Sequence, residues 1–304
     1  MVKSMNAAIA GLKSHQTKMD VLSNNIANVN TWGFKSRTTN FQDALYSNSI
    51  SGSAGATENG KLGGINTSQI GYGNTVSSIS TNYSTGSGQY TGNPLDCMID
   101  GTAFFIVGPF RGNAGNATAV EVGKIGESGL FLSRVGIFQP DSNGYLVDNT
   151  GNYVYGFAAK ADGLFDVTGG LVPIQIPMDN TAQPPARYAI QTWTIGTDGT
   201  VVGVDDKNVP HTIGKIAVAS VENPSGLEQN NGYLYKIGAN AGTVKGMETT
   251  SATGTIKSNF LEMSNVDLAS DIATMITTQR GYQANTKIIT VTDEMLEQLV
   301  NMKR

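Results

Sequence analysis

The residue types that most often carry catalysis are scarce in this 304-residue sequence. His15 and His211 are its two histidines, Cys97 is its single cysteine, and neither an HExxH nor a CxxC motif occurs. Zinc sites need clustered His, Cys or carboxylate ligands, and a catalytic cysteine needs a base beside it. The sequence therefore predicts no catalytic residue, no metal site and no enzyme activity.

Two short segments begin like ligand-binding loops but lack the residues that would complete them. Residues 141–144 (Asp-Ser-Asn-Gly) start like a calcium loop, but their glycine comes too early and Asn152 stands where the bidentate glutamate belongs. Asn-Gly favours a hairpin turn instead. Residues 71–73 (Gly-Tyr-Gly) lack the third glycine and the helix of a dinucleotide loop. We expect no cofactor, and Cys97, followed by Met98, is typical of a small buried apolar residue.

Composition and charge exclude further partners. Charged residues make up 14% of the chain, the formal net charge is −4 and the isoelectric point is about 5.2. No basic field therefore exists to attract nucleic acid or anionic lipid. Neither a secretory signal nor an apolar run of membrane-spanning length is present, which predicts no membrane insertion and export without a cleaved signal peptide.

The two ends of the chain carry apolar residues at helical spacing, and these patterns predict two long helices. The first stripe consists of Met5, Ile9, Leu12, Met19, Leu22, Ile26 and Val29. The second consists of Ile272, Ile276, Ile289, Leu296 and Val300, with Gln279 and Gln283 in the same register. Residues 264–267 (Ser-Asn-Val-Asp) are typical of a capping box that opens the second helix.

A helix over residues 265–304 would be roughly 60 Å long, which favours a coiled coil. Gly281 in its middle costs about 1 kcal/mol relative to alanine, and only packing against a partner could offset this cost. We expect the two terminal helices to pack on each other or on copies of themselves in other subunits.

The middle of the chain has a different character. Residues 47–92 are rich in Ser, Gly, Asn and Thr, which predicts an extended linker with one short β element near residues 76–83. Strand-like runs follow at residues 98–99, 104–107, 145–147, 153–155, 174–176 and 216–219. Turn pairs separate them at residues 143–144, 150–151, 162–163 and 198–199.

The predicted fold class is α+β. Its expected parts are a terminal coiled-coil domain (residues 1–31 and 265–304), an extended linker with short β elements (residues 32–92 and 250–264), and one β-rich, sandwich- or barrel-like outer domain (residues 93–249). A polar linker has little apolar surface to bury, so the helices and the β-rich domain should each have a separate core.

Residues 22–35 (LSNNIANVNTWGFK) are typical of a helix end followed by a glycine turn. The string also resembles the N-terminal signature of the flagellar rod and hook protein family. The residues that carry this resemblance are Asn24, Asn25, Ala27, Asn28, Thr31, Gly33, Phe34 and Lys35. Residues 92–105 resemble the family's entry into its β domain, and residues 261–296 resemble its C-terminal helix, more that of the hook member than that of the distal rod member.

The resemblance implies a subunit that polymerises helically into the flagellar hook, the flexible joint that transmits torque from rod to filament. The residues of the two stripes would then be assembly residues. The implied partners are the chain itself, rod, hook-cap and hook–filament junction proteins, and the flagellar export apparatus, and the implied location is the extracellular flagellum.

Two alternatives remain open at this point. The first is the distal rod protein, a straight drive shaft of the same family. The second, from a different class, is a secreted β-rich binding module or enzyme, which screens for hydrolase activity and glycan binding would reveal. Hook members of the family often carry a further outer β domain inserted in the first, but residues 165–216 pass directly through the segments that would flank it, so a single outer β domain is expected.

Overall fold

The computed structural model describes residues 2–53, 64–113, 116–117, 119–123, 125–159, 165, 170–176, 190–230, 232–248 and 254–302. The chain is α+β, with one long helix at each end and strands between them. It divides into two compact units. The helical unit comprises Met1–Asn28, Ser36–Asn82 and Val266–Arg304, and the β unit comprises Val29–Lys35 and Tyr83–Asn265. The domain boundaries expected from the sequence stay a prediction.

The helical unit contains both helices and four strands. Its elements are α1 (Val2–Ala27), β1 (Arg37–Asp43), β2 (Tyr46–Ile50), β3 (Ser68–Gly71), β4 (Asn74–Thr81) and α2 (Leu268–Met302). Strands β1 and β4 pair antiparallel with an irregularity between Asn40 and Phe41, and β2 pairs antiparallel with β3. The short β element predicted near residues 76–83 is confirmed as part of β4.

Both helices differ from their predicted bounds at one end. Val29, the last member of the first predicted stripe, lies beyond the end of α1 and belongs to the β unit. Asp267 caps α2, because its Oδ1 accepts hydrogen bonds from the N–H groups of Ala269 (3.0 Å) and Ser270 (3.3 Å). The capping box predicted with Ser264 at the cap position is therefore wrong, since the cap lies three residues later.

The strands of the β unit are short. They are β5 (Gly88–Tyr90), β6 (Cys97–Asp100), β7 (Phe104–Gly108), β8 (Gly112–Asn113), β9 (Asn116–Ala117), β10 (Phe131–Ser133), β11 (Phe138–Pro140), β12 (Leu146–Asp148), β13 (Tyr153–Ala158), β14 (Val172–Pro173), β15 (Ile190–Ile195), β16 (Thr200–Asp205), β17 (Pro210–Ile216), β18 (Val218–Val221), β19 (Leu227–Gln229), β20 (Leu234–Ile237), β21 (Val244–Met247), β22 (Thr255–Ser258) and β23 (Phe260–Glu262). A 3₁₀ turn spans Pro224–Gly226.

Most of these strands form one antiparallel sheet in the order β15-β16-β17-β13-β7-β10-β20-β19. Strand β18 also pairs with β7, and β11, β12, β14 and β21 attach beside this path. Separate two-stranded pairs join β22 to β6 and β23 to β5. The last two strands of the β unit, β22 and β23, thus pair with its first two strands, β6 and β5.

Strand β7 lies at the centre of the hydrophobic core. All five of its residues are buried, and alternate side chains enter two different clusters. Phe105 and Val107 pack with Phe138, whereas Phe104 and Ile106 pack with Leu132 and their neighbours. A strand that is buried on both faces reads as a continuous apolar run, as the sequence of β7 does.

Two sequence predictions in the β unit have different outcomes. The Asn-Gly turn at residues 143–144 is present, and Gly144 adopts a φ of +79°, which other residues rarely do. The strand predicted at residues 174–176 is present in part: β14 ends at Pro173, and an isolated antiparallel bridge then joins Gln175 to Tyr145. The turn predicted at residues 162–163 lies outside the described residues. No helix in the described part of the chain combines the length and apolarity needed to cross a membrane.

Candidate assembly site

Asn25 joins three segments of the helical unit. Its side chain is buried, with 2% exposed. The Nδ2 atom donates to the carbonyl oxygen of Arg37 at 2.9 Å and to Oδ2 of Asp271 at 3.2 Å, while Oδ1 accepts from the N–H of Arg37 at 3.0 Å. An amide can donate two hydrogen bonds and accept another at the same time, whereas a hydroxyl has one hydrogen to donate and a carboxylate has none. Asn25 thereby ties the last turn of α1 to β1 and to the first turn of α2.

Asn24 and Asn28 close the end of α1. The N–H of Asn28 lies 3.2 Å from the carbonyl oxygens of both Asn24 and Asn25, and its Nδ2 donates to the carbonyl oxygen of Asn24 at 2.9 Å. These bonds satisfy carbonyl groups that the last helical turn leaves without a partner. Ala27 is the final helical residue and is exposed. The asparagines of the sequence motif therefore have a structural role as helix-end residues.

Gly33 and Thr31 shape the turn that follows within the β unit. The N–H of Phe34 donates to the carbonyl oxygen of Thr31 at 3.4 Å, and that of Gly33 donates to the carbonyl oxygen of Glu262 at 2.8 Å. Gly33 adopts a φ of +65°, and a Cβ atom there would lie 2.9 Å from Cγ2 of Val135. Both the backbone conformation and the available space thus require glycine.

Lys35, Arg134 and Glu262 form a buried charge cluster in the β unit, and each residue is at most 2% exposed. Lys35 Nζ lies 2.6 Å from Glu262 Oε1 and donates to the carbonyl oxygen of Ser84 at 2.8 Å. Arg134 donates to Glu262 Oε2 at 3.5 Å and to the carbonyl oxygen of Gly101 at 2.8 Å. Glu262 is thus the single carboxylate shared by two buried cations.

The cluster holds one more positive than negative charge. Burial lowers the pKa of Lys35, and Arg134 lowers it further, while Glu262 opposes both effects. Burial likewise lowers the pKa of the Arg134 guanidinium, whose buried Nε atom has no hydrogen-bond partner among the described residues. The guanidinium also lies 4.8 Å from the ring centre of Phe104, a favourable cation–π geometry. Removal of Glu262 would leave two buried cations without an anion.

Sequence reasoning found Lys35 through its motif but assigned no role to Arg134 or Glu262. The sequence did contain a sign that these two charged residues are buried, because each is adjacent in sequence to an apolar residue in a chain with few charges. Arg134 precedes Val135, and Glu262 follows Leu261. What the sequence does not reveal is which distant charges meet.

Helices α1 and α2 contact each other antiparallel, in a constant register. A Cβ atom on Gly11 would lie 2.6 Å from Nδ2 of Asn285, and one on Gly281 would lie 3.0 Å from the ring of His15. Asn25 and Asp271, which share a hydrogen bond, form a third pair across the two helices. In each of the three pairs the two residue numbers add up to 296, so the antiparallel register does not shift along the contact. We call this contact the seam. The residues of these three pairs are small or polar, and a coiled coil in the strict sense stays a prediction.

The two predicted apolar stripes differ in burial: most of the α1 stripe is buried or partly buried, whereas most of the α2 stripe is exposed. On α1, Leu22 is buried, Met5, Leu12, Met19 and Ile26 are partly buried, and Ile9 is 37% exposed. On α2, Ile289 is partly buried, whereas Ile272, Ile276, Gln279, Gln283, Leu296 and Val300 are exposed. Among the described side chains of α2, Thr278 and Thr292 are the buried ones. The assembly role of the stripes stays a prediction, and the structure leaves most of the α2 stripe accessible.

The residues considered for chemistry do not come together. His15 lies in the seam, where its buried Nδ1 atom has no hydrogen-bond partner in the part of the chain that the structure describes. His211 lies in the β unit, 4.0 Å from a carboxylate oxygen of Asp205. Among the described residues, no group of three or more His, Cys, Asp or Glu side chains is placed to hold a metal ion. Burial, with a smaller effect of Asp96, raises the pKa of the Cys97 thiol. A buried thiol of this kind is not a nucleophile.

Comparisons with known families match the two ends of the chain. Residues 5–35 match the family described as "Flagella basal body rod protein", and residues 257–302 match the "Flagellar basal body rod FlgEFG protein C-terminal" family. These segments contain both helices, the glycine turn, Lys35 and Glu262.

Whole-length relatives extend this match to the full chain. The flagellar basal-body rod protein FlgG of Bacillus subtilis is 38% identical over 307 residues, covering 100% of both chains. In Borreliella burgdorferi, the rod protein FlgG is 29% identical over 308 residues and the flagellar hook protein FlgE is 26% identical over 461 residues, again with 100% of both chains covered.

The fold and these matches define a structural component of the flagellar rod and hook, which confirms that the chain is not an enzyme. The chain belongs to the flagellar basal-body rod FlgEFG family.

Proposed function

We propose that the chain polymerises helically with copies of itself into a tube of the flagellar axial structure. The observation that supports this proposal is the exposed apolar surface of α2. Eleven large apolar side chains of that helix are exposed: Leu268, Ile272, Ile276, Tyr282, Ile288, Val291, Met295, Leu296, Leu299, Val300 and Met302. Apolar patches of this extent mark interaction sites, and full burial of each aliphatic side chain contributes about 1.5–3 kcal/mol.

We further propose that the tube is the distal rod rather than the hook. The alignment with the Bacillus subtilis rod protein spans 307 positions, close to the 304 residues of this chain. The alignment with the Borreliella burgdorferi hook protein spans 461 positions, so 157 of them have no counterpart in this chain. The alignment with the rod protein, which needs few gaps over the length of this chain, supports the straight drive shaft.

The hook remains the second candidate. It is supported by the end-to-end match to a hook protein and by the hook-like sequence of the C-terminal helix. In either structure, the proposed partners are neighbouring copies, adjoining rod, hook-cap or hook–filament junction proteins, and the export apparatus. The proposed location is the flagellum, reached by export without a cleaved signal peptide. The exposed side chains of Gln279 and Gln283 would then line a channel or pack between copies.

Electron microscopy of tubes grown from the purified protein tests both proposals. Straight tubes support the rod, whereas supercoiled tubes support the hook and overturn the rod assignment. A variant without residues 265–304 should form no tubes but retain the strand signal of the β unit in circular dichroism, because that unit has its own core. Tubes formed by this variant would contradict assembly through α2.

A further inference from the structure

The side chain of His15 packs against two other elements of the helical unit. A Cβ atom on Gly281 of α2 would lie 3.0 Å from both Cε1 and Nε2 of the imidazole. The imidazole also meets the ring of Phe41 in β1 edge to face, with the ring centres 5.8 Å apart and an angle of 77° between the planes. The imidazole of His15 therefore lies where α1, α2 and β1 come together.

This imidazole is poorly placed to carry a second proton. Its Nδ1 atom is buried, and no described residue offers that atom a hydrogen-bond partner. A neutral imidazole has one N–H group and one bare nitrogen, whereas the imidazolium has an N–H group on both nitrogens. Protonated His15 would thus hold a buried N–H donor without an acceptor, on a ring that carries a positive charge, and this costs free energy.

Lys18, one turn further along α1, carries a charge of the same sign. Its Nζ lies 5.5 Å from the ring centre of Phe41, which is the ring that His15 also contacts. The other residues three and four positions from His15 on α1 are uncharged, namely Gly11, Leu12 and Met19. An imidazolium at position 15 would therefore be repelled by the ammonium group of Lys18.

The elements packed against α1 carry few charges that could compensate. On α2, the residues three and four positions from Gly281 share its side of the helix and are uncharged: Thr277, Thr278, Ala284 and Asn285. Arg280 beside it is another cation and is exposed. Strand β4 has no charged residue, and β1 has Arg37 and Asp43. Asp43 is exposed, and its Oδ2 accepts a hydrogen bond from the hydroxyl of Tyr46 at 2.9 Å. The described residues of these elements thus include no buried carboxylate.

Movement of the His15 ring toward water would weaken the seam. Gly281 has no side chain, so the ring occupies the space beside the α2 backbone. A ring that moves outward to hydrate its charge leaves this space empty, and the atoms that line it lose their van der Waals contacts. We propose that His15 is a pH-sensitive switch that keeps α1 and α2 in contact at neutral pH and loosens the seam in acid. This inference does not depend on the proposed polymerisation.

The direction of the effect follows from the titration of His15. Burial lowers its pKa, and the charge of Lys18 lowers that pKa further. A histidine whose pKa is lowered in the folded chain stabilises the fold while it is neutral. The contribution of His15 is therefore complete above the ordinary histidine pKa of about 6.5, and it is lost as the pH falls through the lower pKa of the folded chain.

Nuclear magnetic resonance of the full chain tests this titration, because His15 and His211 are its two histidines. The imidazole signal that remains in His211→Gln belongs to His15. Its titration midpoint should lie below about 6.5, and Lys18→Gln should raise it, because a neighbouring cation is removed. Lys3→Gln removes the same charge elsewhere on α1, and this matched control should leave the midpoint unchanged. A midpoint at or above about 6.5 in the wild-type chain would overturn the inference.

Hydrogen exchange of the α1 and α2 amides tests the seam itself. The measurement runs from about pH 7.5 to about pH 5.5, above the ordinary pKa of Asp and Glu near about 4. After correction for intrinsic exchange rates, opening of both helices should increase as the pH falls, by at most about tenfold per pH unit, which is the limit for uptake of one proton. His15→Gln should lose this pH dependence, whereas the control His211→Gln should keep it.

Two outcomes of the exchange experiment would contradict the switch. One is a His15→Gln variant with the same pH dependence as the wild-type chain, and the other is a wild-type chain whose helices open equally at both pH values. Neither experiment requires polymers, so a negative result would leave the proposed function in place.

Discussion

Replacement of Glu262 by glutamine should destabilise the β unit more than replacement of Lys35 by methionine. Glu262→Gln leaves Lys35 and Arg134 buried without an anion, and removal of one partner from a buried ion pair costs about 3–5 kcal/mol. Lys35→Met removes the excess positive charge and leaves Arg134 near Glu262. Lys35→Met should therefore lower the free energy of unfolding by a smaller amount, about 1–3 kcal/mol, which is the usual cost when a buried acceptor loses its donor.

The control for this comparison is a second lysine–carboxylate pair of the same length. Lys257 Nζ lies 2.6 Å from Oδ2 of Asp100, as close as Lys35 lies to Glu262, but both side chains are about half exposed. Exposed pairs typically contribute about 0–1 kcal/mol. Lys257→Met should therefore change the free energy of unfolding far less than Lys35→Met, although the two variants remove salt bridges of the same length.

Urea unfolding followed by the fluorescence of Trp32 and Trp193, both in the β unit, measures the three free energies. The expected order of destabilisation is Glu262→Gln, then Lys35→Met, then Lys257→Met. Two results would refute the reasoning. The first is a Lys257→Met variant as destabilised as Lys35→Met, since burial would then not decide the energy. The second is a Glu262→Gln variant that is no less stable than Lys35→Met, since the charge imbalance would then be unimportant.

Three further predictions concern single positions. Asn25→Ala should lower helix stability by about 1–3 kcal/mol in thermal melts, because Arg37 and Asp271 lose a buried partner. Gly281→Ala should not give the gain of about 1 kcal/mol that helix propensity predicts, because its Cβ meets the His15 ring at 3.0 Å; the same change in a His15→Ala background should give that gain. Cys97, fully buried and with its pKa raised, should resist iodoacetamide until urea unfolds the β unit, and rapid labelling of the folded chain would contradict its placement.

The local features of the fold were predictable from the sequence, and the reason lies in their short range. The helical spacing around Leu12 and Ile276 depends on neighbours three and four residues away, so both helices were predicted. The end of α1 was predicted less well, because Val29 continues the apolar spacing of the stripe although α1 ends at Ala27. The buried apolar run of β7 was predicted for the same local reason.

Packing of the two terminal helices on each other was one of two expected arrangements, but the register of the seam and the charge cluster were not predictable, because both depend on residues far apart in sequence. Arg134 and Glu262 are separated by 128 positions, and no local pattern connects them. An amphipathic pattern likewise identifies the apolar face of a helix but not the residues that pack against that face. In the seam, Gly11 leaves room for the side chain of Asn285, and Gly281 leaves room for the ring of His15. Neither glycine interrupts the apolar spacing of its helix, so the sequence pattern gives no sign of these contacts.

The location of the apolar surface has a consequence for when the helices become stable. In an isolated molecule, α2 leaves most of its large apolar side chains exposed, so packing within the molecule contributes little hydrophobic free energy to that helix. Helices gain most of their stability from packing of an apolar face, and the exposed face of α2 has such packing only if another copy covers it. The β unit has its own core and its buried ion cluster, so its stability does not depend on that face. Under the proposed function, the β unit would therefore be stable before assembly, whereas full stability of the helices would come with the polymer.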